Sequence, residues 1–152
     1  SGLYLGPKRR LVAGFSVPEA AADLALLEAL QDLDRHPNSA LLWQNIGGAL
    51  LDLDLPRLAL DALKKSEALE PDLSETRFLL GVAYRKLGDA QAAREALQQA
   101  IERNPLHPQA RLELARLYTE LGELDLAQSE IATHARNYPL QRPAEPRRSL
   151  GG

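Results

Sequence analysis

Apolar residues recur three and four positions apart through most of the chain. The stretches that carry them are cut at Pro37, Pro71, Pro105 and Pro139, each 34 residues after the last. That spacing predicts amphipathic helices, and a fixed period of this size predicts stacked helical hairpins rather than one closed globule. From 18 to 35, Leu24, Leu27, Leu30 and Leu33 share a stripe behind Pro18, a residue suited to a first helical turn. His36-Pro37 ends that helix, and Asn38 or Ser39 can cap the next, which carries Leu42, Trp43, Ile46 and Leu50 on one side. Its hairpin partner begins near Pro56, turns Leu58, Ala59, Ala62 and Leu63 inward, and stops at Glu70-Pro71, because a residue before proline resists the helical region. The next unit, 74–105, is the most regular. Asp72 with Glu75 resembles a capping box, Gly88 stops the first helix, Asp89 caps the second, and Asn104-Pro105 ends it. The last unit opens at Pro108, turns at Gly122, and runs from 124 to 137 before Tyr138-Pro139.

The ends lack this periodicity. Residues 1–17 mix Pro7, Gly6 and Gly14 with Leu3, Tyr4, Leu5, Leu11, Val12 and Phe15, which predicts an extended arm too apolar to be purely solvated. Residues 140–152 are proline-rich and read as a flexible tail. Charge divides along the same lines. Between Pro18 and Pro139 there are 12 Lys plus Arg against 20 Asp plus Glu, whereas the two ends carry Lys8, Arg9, Arg10, Arg142, Arg147 and Arg148 against Glu145. An acidic body with basic ends argues against nucleic acid, whose footprint is a basic face on the folded part. No stretch of eighteen apolar residues is present, so no membrane span is expected. The absence of cysteine excludes disulfides and leaves the compartment open, with cytoplasm the default and a periplasmic domain behind a removed anchor the rival. The Ala-, Leu- and Arg-rich composition has a bacterial cast.

Superposing the units on their period aligns Trp43, Arg77 and Arg111; Ile46, Leu80 and Leu114; Gly47, Gly81 and Ala115; and Leu50, Tyr84 and Tyr118. Farther on come Ala59, Ala93 and Ala127; Leu63, Leu97 and Ile131; and Ser66, Ala100 and His134. Small residues recur where helices must cross closely and large ones where a gap must be filled. In register over residues 40–139, this pattern resembles the tetratricopeptide repeat family, with Arg77, Arg111 and His134 departing from its usual apolar or small positions. The resemblance implies an all-α, right-handed superhelical α-solenoid of antiparallel helix pairs. About three and a half repeats are expected: a half repeat at 18–37, then 40–71, 74–105 and 108–139, with Ala25 and Ala29 in second-helix columns.

The resemblance also implies a concave wall made by the first helix of each pair, where the family holds peptides. By column, that peptide-binding groove comprises Leu41, Gln44, Asn45, Gly48, Glu75, Phe78, Val82, Arg85, Gln109, Leu112 and Arg116, flanked by Leu51, Asp52, Leu79, Lys86, Glu113, Thr119 and Glu120. Phe78 and Val82, one turn apart, can form an apolar floor, unless they pack between neighbouring first helices instead. Gly48 costs about 1 kcal/mol in a helix relative to Ala, which suits close approach of a ligand backbone. Family members that grip the C-terminal carboxylate of chaperones use Lys, Asn and Arg on this wall. The corresponding columns here hold Gln44, Gly48, Val82, Gln109 and Glu113, so an acidic C-terminal ligand is not expected.

Other chemistry is thinly supported. His36, His107 and His134 are scattered, and two of them flank prolines, which suits capping and surface roles better than metal ligation. No phosphate loop, H-E-x-x-H or G-x-S-x-G motif occurs, so neither an enzyme nor a cofactor or metal is expected. The function expected is that of a non-catalytic adaptor or assembly factor binding a protein or peptide segment with apolar and basic residues. One alternative is a self-associating scaffold, such as a homodimer, whose arm or tail fills a neighbouring groove. Another is a regulatory domain of a larger enzyme or of a secretion or assembly machine.

Overall fold

The computed structural model describes residues 17–139, so the arm and tail fall outside the described residues except for Val17. Among the described residues there are seven helices and no strand. In chain order they are α1 (Val17–Arg35), α2 (Ala40–Asp52), α3 (Pro56–Leu69), α4 (Ser74–Lys86), α5 (Ala90–Arg103), α6 (Ala110–Glu120) and α7 (Leu124–Asn137). Helices α2/α3, α4/α5 and α6/α7 pack as pairs, and each pair packs on the next. Successive first helices adjoin, α2 with α4 and α4 with α6, while among the described helices α1 lies against α2 alone.

The local signals act as expected at several helix ends. Ser39 caps α2, its hydroxyl accepting from the Leu42 N–H at 3.3 Å, and Asp89 caps α5 by accepting from the Ala92 N–H at 3.1 Å. Each first helix closes with the same pair of backbone bonds: Leu55 N–H to Leu50 O at 2.9 Å, Asp89 N–H to Tyr84 O at 2.9 Å, and Glu123 N–H to Tyr118 O at 2.8 Å, each beside a shorter-range bond. This closure needs a left-handed residue, and Asp54, Gly88 and Gly122 take it with φ of 59°, 84° and 79°. Asp54 thus stands in the glycine column without being glycine. Two starts differ from expectation. Asp72 makes no cap; it pairs with Arg103 at 3.3 Å, and α4 begins without a side-chain cap. Helix α6 begins at Ala110 rather than Pro108, because His107 Nδ1 accepts from the N–H groups of Gln109 and Ala110 at 3.2 and 3.1 Å.

The first two pairs are each held by a leucine of the second helix seated on a glycine of the first. A Cβ at Gly47 would stand 2.4 Å from Leu63, and one at Gly81 would stand 2.5 Å from Leu97, so only glycine admits this approach. Both leucines are fully buried. In the last pair Ala115 replaces glycine and Ile131, in the leucine column, is 49% exposed. Leu63 and Leu97 are each covered by the following pair, whereas no described helix follows α7, and Leu124 and Leu126 are exposed with Ile131.

Buried polar contacts then fix how the pairs stack. Ser66, fully buried on α3, donates to Ala40 O at 2.9 Å and lies 3.0 Å from Thr76 Oγ1, which bonds the Gln44 side chain at 2.9 Å. This row joins α2, α3 and α4. The departure at Arg77 is accommodated: Trp43 Nε1 donates to Pro37 O at 3.1 Å, and Arg77 repeats that contact to Pro71 O through Nε at 3.3 Å and Nη2 at 3.1 Å. Arg77 Nη1 also reaches Glu67 at 2.5 Å and Gln99 at 2.9 Å. Arg111 pairs with Glu130 at 3.0 Å, while its buried Nε has no partner among the described residues.

Three apolar expectations are corrected. Leu24, Leu27 and Leu30 of α1 are exposed, because α1 has one described neighbour and packs Ala29, Leu26 and Leu33 into the core. Ala25 is exposed although Ala59, Ala93 and Ala127 in its column are buried, since among the described residues no first helix precedes α1 to cover it. Leu58 is exposed as well.

Gly81 and Gly48 should therefore respond oppositely to alanine. Gly81→Ala forces Leu97 out of place and should cost about 1–3 kcal/mol. Gly48→Ala, whose Cβ would meet only Leu79 at 3.8 Å, should gain about 0.5–1 kcal/mol. Asp54→Gly removes a left-handed non-glycine residue and should gain up to about 1 kcal/mol. Urea titrations read through helical circular dichroism would check all three as shifts in midpoint.

Candidate functional site

A long open cavity of about 800 Å³ runs along the wall of first helices. Its lining comes from α1, α2, α4 and α6 with Gln109, and from none of α3, α5 and α7. Gln44, Asn45 and Gly48 of α2, Glu75, Phe78 and Val82 of α4, Gln109, and Leu112 and Arg116 of α6 all line it. Helical spacing brings them together: residues three, four and seven apart on each first helix face the same way, and stacking sets the three faces side by side.

Two of the expected groove residues stand outside the cavity. Leu41 is exposed away from it, and Arg85 is turned to α6, where Nε meets Glu113 Oε2 at 2.9 Å and Nη1 meets Glu120 Oε1 at 3.0 Å. Arg85 is thereby a bridge between first helices, its side chain only 12% exposed. Phe78 lines the cavity from beneath. It is buried, and its ring lies 4.6 Å from that of His107. The accessible apolar floor is formed by Leu79, Val82 and Leu112, with Leu112 exposed and the other two half-buried.

His107 organises this part of the wall. Nδ1 accepts two backbone N–H bonds, so the proton sits on Nε2, which donates to Glu75 Oε1 at 2.6 Å. One buried imidazole thus starts α6, covers Phe78 and holds a groove carboxylate of α4. Sequence alone placed His107 at a helix opening but gave no sign of Glu75, 32 residues away.

Charge is distributed unevenly. Among the acids lining the cavity, Glu75 is held by His107 and Glu113 by Arg85, with Arg116 3.9 Å away. Glu28 and Asp32 of α1 and Asp52 of α2 also line it, and their carboxylates engage no described residue. The α1 contribution of Ala25, Glu28, Ala29 and Asp32 was not anticipated. Its signal is faint but present: the four residues recur at helical spacing opposite the leucine stripe that dominates the pattern. Among the described residues, no cluster of His, Cys, Asp and Glu could hold a metal ion, and no helix is long and apolar enough to cross a membrane.

Comparison with known proteins agrees with this architecture. A family model for the tetratricopeptide repeat matches residues 78–141. The structure is similar to that of the protein MamA, at 27% identity and a TM-score of 0.69 over 91% of this chain and 77% of that one. It is also similar to TTC0263, a thermophilic tetratricopeptide repeat protein of Thermus thermophilus, at 24% identity and a TM-score of 0.72 over 87% and 70% of the two chains. The second tetratricopeptide domain of Spaghetti (RPAP3), bound to the HSP90 peptide SRMEEVD, matches at 17% identity with a TM-score of 0.61 over 69% of this chain and 97% of that domain. The last two likenesses are of fold alone. Seven described helices, the recurring small-on-large contact and the matched family model make this chain similar to tetratricopeptide repeat proteins.

Proposed function

We propose that the cavity along the first helices holds an extended segment of another polypeptide, one that carries both apolar and basic side chains. Tetratricopeptide repeat proteins are protein–protein interaction modules, generally without catalytic activity, and a non-catalytic adaptor or assembly role is the reading we adopt. The observation that carries it is the pairing of an apolar floor, Leu79, Val82 and Leu112, with unengaged carboxylates at the α1 end of the same cavity. Apolar side chains would bury area on the floor, and a Lys or Arg would be drawn to the acids.

The same chemistry disfavours an acidic ligand. The peptide held by the RPAP3 domain, SRMEEVD, has two glutamates and one aspartate against one arginine. Here Gln44, Gly48, Val82, Gln109 and Glu113 supply no cationic clamp, and any carboxylate at the α1 end would meet like charge.

Selection from a random peptide library displayed against the full chain should enrich Lys and Arg over Asp and Glu, alongside Leu, Ile, Val or aromatic residues. The enriched peptides should bind less tightly as salt rises. Val82→Glu with Leu112→Glu should weaken them at least about tenfold, equivalent to about 1.4 kcal/mol, while SRMEEVD should not compete. Both positions are partly exposed, so helical content should be retained. Enrichment of acidic peptides, or binding indifferent to the double substitution, would overturn the reading.

A further inference from the structure

The unengaged acids are matched by a segment of the chain itself. We infer that residues 3–15, which precede α1, occupy the α1 end of the groove of their own chain, with Lys8, Arg9 and Arg10 against Glu28, Asp32 and Asp52. The inference rests on the peptide-binding reading above and names an occupant for that same site.

Three observations converge on this segment. The first is charge: three carboxylates without a described partner line one end of the cavity, and Lys8-Arg9-Arg10 supplies three consecutive cations. The second is apolar complementarity. Leu3, Tyr4 and Leu5 stand on one side of these cations and Leu11, Val12 and Phe15 on the other, so a bound segment has side chains for the Leu79, Val82 and Leu112 floor beyond the acids. The third is the direction in which the groove opens. A second cavity, of about 520 Å³, is lined by Ala21, Ala22, Ala25 and Asp52 and shares Ala25 and Asp52 with the first. The groove therefore continues along α1 toward its N-terminal half, where the chain arrives.

Reach favours the chain's own groove. At about 1.5 Å of rise per residue, Glu28 and Asp32 lie about 17 and 22 Å along α1 from Val17. At about 3.3 Å per extended residue, Arg10 and Lys8 reach about 23 and 30 Å back from the same point. A segment doubling back along α1 thus brings the cations to the acids with a few ångströms to spare. The basic tail, with Arg142, Arg147 and Arg148, leaves from α7 at the opposite end of the array and has few apolar residues. Tethering gives the segment a high local concentration without requiring tight contacts. An outside partner would then bind only by displacing it, so the arm tunes the affinity of the groove.

The test uses full-length protein and a fluorescent peptide of residues 2–16. By anisotropy at low salt, the Arg9→Glu/Arg10→Glu chain, whose groove is vacated, should bind the peptide at least tenfold more tightly than wild type. Adding Glu28→Lys/Asp32→Lys to that variant should abolish binding, and both acids are exposed, so circular dichroism should show an intact fold. Light scattering should give a monomer for wild type. Equal binding by wild type and the Arg9→Glu/Arg10→Glu chain, or no binding by the latter, would overturn the inference. So would binding that survives the acid reversals, or a wild-type dimer that dissociates on Arg9→Glu/Arg10→Glu. If these fail while library peptides still depend on Val82 and Leu112, the groove reading stands and only the occupant is wrong. If both fail, both fall.

Discussion

Everything in this molecule depends on how closely two helices of a pair can approach. Leu63 sits where the Cβ of residue 47 would be, and Leu97 where that of residue 81 would be. The glycines carry a conformational cost in mid-helix, but they let a large side chain fill the interface completely, and both leucines have no solvent exposure. Because the same contact recurs after 34 residues, successive pairs meet at the same geometry and their first helices fall into one wall. The groove is a product of that repetition. No single helix shapes it.

Polar contacts do a different job. Ser66, Thr76 and Gln44 form a buried row across three helices, and such a row is sensitive to register, since a displaced hydroxyl would be left buried without a partner. His107, Glu75 and Phe78 play the corresponding part between α4 and α6, and Arg85 with Glu113 adds a charged tie on the same side. These contacts lie directly under the groove or at its rim. The wall is therefore most cross-linked where its floor is apolar, between α4 and α6, and least tied at the α1 end, where the helix has one described neighbour and the acids engage no described residue.

The departures from the family pattern have separate explanations. Arg77 reproduces the carbonyl contact of Trp43 with a guanidinium and gains Glu67 and Gln99. Arg111 finds Glu130 but not the proline carbonyl, and the last pair is also the one where alanine replaces glycine and Ile131 is half exposed. Regularity fades toward α7, where no further described helix presses on the pair.

The sequence by itself determined the helix boundaries to within a residue or two, the pairing, the resemblance to tetratricopeptide repeats and most columns of the core. Each of those follows from local or periodic physics: prolines that end helices, glycines that admit a left-handed turn, and small and large residues repeating at fixed spacing. With the concave wall that the resemblance implies, it also pointed to most of the residues that line the cavity, because facing along one helix is a matter of counting. Only the tertiary structure decided which of them are accessible. Phe78 lies under a histidine 29 positions later, Arg85 is held by carboxylates of the next pair, and Glu28 and Asp32 join the groove because no described first helix precedes α1. Those outcomes depend on contacts between residues distant in the chain, and no periodic pattern encodes which distant side chain will arrive.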